Sequence, residues 1–364
     1  MDVMIIMTRY ECLNPILATF SNKESWTQDL SHKYNKVNII GNLKHLAETK
    51  GNKFILDLLE RDNILKLPCR HCINCQIRRS REWAVRNSLE AQLYNDDECL
   101  FFTLTYNNDS ISRLAVLHNH NFQDDIFSLS KVDLQLFIKL LRRKFCKNKI
   151  RYYACGEYGG ITLRPHYHIL IYGLSIDDIK YYKDSNGKTY EFDLKYKTRD
   201  GSFYYSEFIE DYIWKKGFVD ISSFSDYTSK YVSQYVNKKN TTYNKRKGYI
   251  YYNMLSPEFN IMSLKPAIAN DYIIKNFDSV YKDDVLLFHI RDKTMELKPF
   301  QFFDKKFDIE RPDEFEFVKQ NRKDFAKLNK YFDDLEFNLN ISEYLRNLEN
   351  ERIKEVKAKE KKKL

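Results

Sequence analysis

The spacing of apolar and polar positions changes period along this chain, and each period predicts an element. Cys99-Leu100-Phe101-Phe102-Thr103-Leu104-Thr105-Tyr106 is rich in strand formers and has polar flanks, which predicts a β-strand. Arg151–Glu157 predicts a second strand and His166–Tyr172 a third, paired as a hairpin through a turn at Gly159-Gly160. Alternate strand residues share a face, so His166 and His168 project together while Tyr167, Ile169 and Ile171 face a core. Helical spacing appears after Ser130, an N-cap with Asp133 at N3, where Leu134, Phe137, Ile138 and Leu141 make one buried stripe. Ser225–Lys239 reads as a helix with Tyr227, Tyr231 and Tyr235 along one side. Weaker helical patterns cover Leu43–Leu59 and Arg78 to about Tyr94, and a charged one begins near Pro312. Residues 107–129 read as a polar loop, and 177–224 as a polar, tyrosine-rich insertion with further strands.

Composition narrows this picture. With 364 residues, 43% hydrophobic and 15% aromatic, the chain can bury substantial cores. Its 10 Gly and 7 Pro argue against a long flexible linker. Three regions are expected: a Cys-rich N-terminal region over 1–95, a catalytic core over 96–245, and a C-terminal segment over 246–364 ending in a basic tail. A net charge of +9 favours a polyanionic partner. No run approaches the ~18 apolar residues of a membrane helix. The start lacks a basic n-region and a small-residue cleavage site, so a cytoplasmic protein is the expectation.

Four groups of residues carry candidate chemistry. Glu157 faces His166 across the hairpin, and two imidazoles with one carboxylate suit Mg²⁺ or Mn²⁺ with positions left for a phosphate and water. The alternative is a pair of core histidines and a surface glutamate. Tyr231 and Tyr235, four apart on a helix, can serve as two nucleophiles at one metal, or simply pack as a stripe. Lys238 and Lys239 follow, placed to steady a phosphate or a phenolate. Cys69-x-x-Cys72-x-x-Cys75 has zinc spacing, with Cys12 as the preferred fourth ligand and His71 as its substitute. Three buried thiols are the other reading. Finally, Arg78 and Arg79 in one basic stretch, and Arg142, Arg143 and Lys144 in another, suit a DNA backbone, or else line solvated helix faces.

Taken in order, these segments resemble a known family. Phe101–Tyr106 is similar to the first rolling-circle motif of the HUH-endonuclease replication initiators of gokushovirus-like microviruses, small single-stranded-DNA bacteriophages. Gly156-Glu157-Tyr158-Gly159 with Arg164-Pro165-His166-Tyr167-His168 resembles their metal motif, and Tyr231–Lys239 their paired-tyrosine motif. Cys12-Leu13-Asn14-Pro15, Pro68–Cys75 and Ser80-Arg81-Glu82-Trp83 resemble N-terminal elements of the same family. The likeness covers roughly residues 8–245, and Gln234 departs from it, where a basic residue is common. The resemblance implies an α+β fold of HUH type: a central antiparallel sheet of about five strands, flanked by helices, with the tyrosine helix across it. It also implies origin nicking of the viral plus strand through a 5′-phosphotyrosine, strand circularisation, host polymerase and helicase as partners, and the bacterial host cytoplasm as the location. The competing readings are a non-enzymatic, zinc-stabilised nucleic-acid-binding protein and a plasmid or transposon HUH enzyme. The chain lacks a G-x4-GK[ST] loop, in keeping with an ATP-independent reaction.

Overall fold

The computed structural model describes residues 12–20, 37–59, 64–111, 116–117, 126–146, 149–159, 164–199, 201–238, 255–290 and 293–328, with short pieces at 346–347, 349–351 and 353–354. They form two compact units, one within Ser80–Lys319 and the other within Thr8–Arg79 and Gln320–Leu364. Both His118 and His120 lie outside the described residues. No helix among the described residues is long and apolar enough to cross a membrane.

In the smaller unit, β1 (Ile16–Phe20) pairs antiparallel with β2 (Val37–Asn42) on one side and β3 (Ile64–Leu67) on the other. Helix α1 (Leu43–Leu59) follows β2 directly and buries Leu43, Leu46, Ala47, Ile55 and Leu58 with Leu17 of β1. Its weak sequence signal has a local cause: Gly51 takes φ +82 and interrupts the helical turns, a conformation cheap only without a Cβ. Helix α2 (Ile73–Ala91) begins in this unit and continues into the larger one.

The larger unit is built on β4 (Cys99–Tyr106), α3 (Asn108–Ile111), the two-residue ladder of β5 (Val116–Leu117) with β6 (Ile126–Phe127), α4 (Lys131–Lys144), β7 (Arg151–Tyr158), β8 (Pro165–Tyr172), α5 (Ile176–Lys180), β9 (Phe192–Thr198), β10 (Gly201–Ser206), β11 (Gly217–Ser223), α6 (Asp226–Lys238) and β12 (Phe259–Met262). Seven of these strands form one sheet in the order β12-β7-β8-β4-β11-β10-β9, and every neighbouring pair is antiparallel. The sheet is therefore wider than the expected five strands. Three of its members, β9, β10 and β11, come from the 177–224 segment, and β11 pairs directly with β4. The fold class is α+β, with helices on both faces.

One face of the sheet is a large apolar core. Leu100, Phe102, Leu104, Ala154, Tyr167, Ile169, Ile171, Val219 and Ile221 meet Leu134, Phe137, Ile138 and Leu141 of α4. Ser130 caps α4 by accepting from the Asp133 amide at 3.2 Å. The Asp133 carboxylate instead takes the Tyr106 hydroxyl at 2.8 Å, and the Tyr106 and Tyr167 hydroxyls lie 2.8 Å apart. The other face packs against α2 and α6. Here Phe101, Tyr153, Cys155, Leu170 and Tyr172 meet Trp83, Val232 and Tyr231. Serines let the two helices approach: Ser80 donates to the Ser233 carbonyl at 3.0 Å, and Ser229 to the Ala84 carbonyl at 2.8 Å. Beyond the sheet, the β13 (Leu286–Ile290) and β14 (Lys293–Leu297) hairpin and helices over Gln301–Glu310 and Pro312–Leu328 enclose a further core of Phe277, Tyr281, Phe288, Phe303, Phe307 and Phe315.

Candidate active site

The β7–β8 hairpin pairs Glu157 with His166 and Cys155 with His168. The pleat then puts Glu157, His166 and His168 on the face that α6 covers. One carboxylate oxygen of Glu157 lies 2.5 Å from His166 Nε2 and 3.0 Å from His168 Nε2. Ligand atoms of the three residues all lie within 4.8 Å of one another. The group is well sheltered: relative side-chain exposure is 5% for Glu157, 6% for His168 and 19% for His166. Burial alone would raise the Glu157 carboxyl, but hydrogen bonds from His166 and His168 hold it down at about 2.

Each imidazole is oriented through its other nitrogen. His168 Nδ1 lies 3.1 Å from the Thr103 hydroxyl, and His166 Nδ1 lies 3.1 Å from the Arg164 carbonyl. A carbonyl can only accept, so His166 Nδ1 carries a proton. In the charged ring Nε2 also donates to Glu157; in the neutral ring its lone pair faces the carboxylate, an arrangement that a cation between them would relieve. Such partners fix the tautomer and aim of metal-binding histidines. Thr103 is in place because β4 pairs with β8 in the register Thr103↔His168. Arg164 is itself held, with its guanidinium donating to the Tyr106 carbonyl at 2.6 Å and 3.2 Å. Phe101 stacks on His168, with ring centroids 5.7 Å apart and planes at 11°. The sequence reading missed Thr103, Phe101 and Arg164 as supports. Only the pairing of β4 with the distant β8 would have found the first two.

Helix α6 packs on β7 and β8 and brings Tyr231 onto the cluster. Its ring centroid is 5.1 Å from that of His168 and 6.3 Å from that of Phe101, edge to face in both cases. Tyr227, 53% exposed, stacks on the outer side of Tyr231 at 6.4 Å. Tyr235 and Lys238 continue the same helix, but their side chains lie outside the described residues, as does the whole of Lys239. Gln234 is exposed.

The basic stretches divide by role. Arg78 and Arg79 are exposed on α2. Arg86, further along, is buried between the Trp83 and Phe302 rings and donates to the Ile268 carbonyl. Burial brings its guanidinium down to about 10, against the opposing pull of Glu82. Arg142 is tied to the Ile150 carbonyl at 2.9 Å and to the Ser263 hydroxyl at 3.2 Å. Arg143 and Lys144 are exposed at the end of α4, which packs on the sheet face opposite Glu157. The structure thus does not gather the α4 cations with the histidine cluster. In the smaller unit, Cys12, Cys69, Cys72 and Cys75 bring their sulfurs within 4.8 Å of one another, while His71 is exposed.

A carboxylate and two imidazoles on an antiparallel sheet, beneath a helix that delivers a phenol, define the class: an α+β protein with a candidate divalent-metal centre beside a tyrosine. Residues 99–240, which hold all of that centre, match the model of the ORF2-type family of replication-associated proteins. Three relatives are similar over longer or comparable stretches. The chain is 29% identical over 266 residues to Replication-associated protein ORF2 of Spiroplasma virus 4, covering 72% of this chain and 74% of that one. It is 32% identical over 179 residues to Replication-associated protein VP4 of Bdellovibrio phage phiMH2K, covering 47% and 48%. It is 29% identical over 176 residues to Replication-associated protein ORF4 of Chlamydia phage 1, covering 48% and 38%. The chain belongs to this group of microvirus replication-associated proteins. No solved structure matches it.

Proposed function

We propose that this protein initiates rolling-circle replication of a bacteriophage genome by nicking the viral plus strand at its origin. The observation that carries the reading is the Tyr231 ring set 5.1 Å from His168, on the face where Glu157 and both imidazoles converge. The mixed oxygen and nitrogen donors fit a Mg²⁺ or Mn²⁺ ion, which Glu157, His166 and His168 would hold. Such an ion would polarise the scissile phosphate.

The protein's own residues do the rest. The Tyr231 phenol loses its proton and its oxygen attacks phosphorus, while the bond from phosphorus to the 3′-oxygen breaks. The 3′-oxygen keeps the electron pair and takes a proton, and the 5′-phosphate stays esterified to tyrosine. Tyr235, one turn along α6, makes the second cut after a round of synthesis, and Lys238 steadies the phosphate. Reversal of the ester by a 3′-hydroxyl closes the circle without a nucleotide cofactor. The freed 3′-hydroxyl primes host polymerase, with host helicase parting the strands, in the cytoplasm of the bacterial host.

Incubation of labelled single-stranded origin DNA with protein and Mn²⁺, followed by a denaturing gel, tests this. A covalent adduct is expected for the wild type and none for Tyr231→Phe with Tyr235→Phe. An adduct that persists in the double variant removes these residues as nucleophiles. Salt-sensitive binding without any adduct in the wild type would favour a non-enzymatic DNA-binding protein.

A further inference from the structure

We infer that Cys12, Cys69, Cys72 and Cys75 bind one Zn²⁺ ion through four thiolates, in a closed structural centre that clips the smaller unit together. The inference stands apart from the nicking reaction. Its first support is distance. The Cys12 and Cys72 sulfurs are 3.8 Å apart, and all four sulfurs lie within 4.8 Å of one another. A tetrahedral zinc with Zn–S of ~2.3 Å has sulfur–sulfur edges of about 3.8 Å. A disulfide needs ~2.05 Å, and all four cysteines are free. An iron–sulfur cluster would push its thiolates apart by the width of its inorganic core.

The surroundings suit thiolates. The Cys69 amide donates to Cys12 Sγ at 3.2 Å, and the Cys72 amide to Cys69 Sγ at 3.3 Å. Amide hydrogens aimed at sulfur favour the charged form that a metal requires. Arg70 takes φ +65, which turns the chain between Cys69 and Cys72, and Gln76 Nε2 closes that turn by donating to the His71 carbonyl at 2.8 Å. Cys75 follows in the first turn of α2, where the helix terminus also favours negative charge. Four sulfurs fill the tetrahedron, so no position is left open for substrate. Cys12, not the exposed His71, completes the set.

The fold of this unit needs such a clip. Among the described residues its apolar core is Leu17, Leu43, Leu46, Ala47, Ile55 and Leu58. The cysteines form a cluster of their own, touched by Leu13 and Ile16. Cores this small are commonly supplemented by a metal or disulfides. Joining Cys12 to Cys69 ties positions 57 apart and closes the chain around β1, α1 and β3.

Elemental analysis of the full-length protein after dialysis against EDTA is expected to give one zinc per chain. Zinc K-edge absorption of the same sample is expected to show four sulfurs at ~2.3 Å. Cys12→Ser and Cys72→Ser should lose the zinc, while Cys146→Ser, an exposed cysteine, and Glu157→Gln should keep it. Protein free of zinc, iron in its place, a shell containing nitrogen or oxygen ligands, or equal zinc in Cys72→Ser and wild type would each overturn the inference. Should the serine variants fail to fold, the wild-type absorption spectrum decides by itself.

Discussion

At Glu157 a single carboxylate oxygen meets two imidazole nitrogens, and this sets how the site responds to acid. The group falls from its ordinary 4.5 to about 2 because the two hydrogen bonds outweigh the cost of burial. A carboxyl more acidic in the folded chain than in the unfolded one stabilises the fold above pH 4.5. That stability is lost as pH falls from 4.5 toward 2, and it amounts to about 3 kcal/mol. In chelator-treated protein, the stability difference between wild type and Glu157→Gln, measured by urea unfolding, is expected to be full at pH 5 and to shrink toward pH 2. A pH-independent difference would show that the carboxylate is not held this way. Glu157 and the histidines were legible in the sequence because one short hairpin fixes their pairing. Tyr231 was legible through helical spacing, which gave a face but no direction. Thr103 was not legible, since its pairing with His168 joins positions 65 apart.

Among the elements, β4, β8, α4 and α6 stand close to where their hydrophobic periods put them. The outer strands were harder. Strand β9 is exposed at almost every position, so it lacks the alternation that marks a half-buried strand, and β12 has only four residues. Both exist because neighbouring strands offer hydrogen bonds, which is tertiary information. Strand β4 also supports function: Thr103 orients His168 from the adjacent ribbon. Thr103→Val keeps shape and strand propensity but removes that hydrogen bond. Its affinity for Mn²⁺, measured by calorimetry on stripped protein, is expected to fall roughly 10- to 100-fold with the fold intact. Unchanged affinity would leave Thr103 a packing residue only.

On the scale of the whole molecule, a net charge of +9 over the chain makes electrostatics a large share of any binding to single-stranded DNA. Arg78 and Arg79 are exposed, whereas Arg86 and Arg142 are already engaged by carbonyls. The first pair is therefore expected to neutralise phosphates and the second pair to carry stability. In filter-binding titrations, the slope of log K against log salt should flatten by about 1 in Arg78→Ala and again in Arg79→Ala, one fewer phosphate being neutralised in each. Identical slopes would assign the charge effect elsewhere on the surface.

The hairpin that bears Glu157 and His168, only 11 positions apart, has one more implication. Every proposed donor to the cation is encoded in a single short ribbon, while the attacking phenol arrives from a separate helix much later in the chain. Ion capture and strand scission are then separable inheritances. A variant that shifts α6 by one turn would still load manganese normally yet leave DNA uncut, and the ribbon could be grafted onto another antiparallel scaffold as a self-contained cation trap.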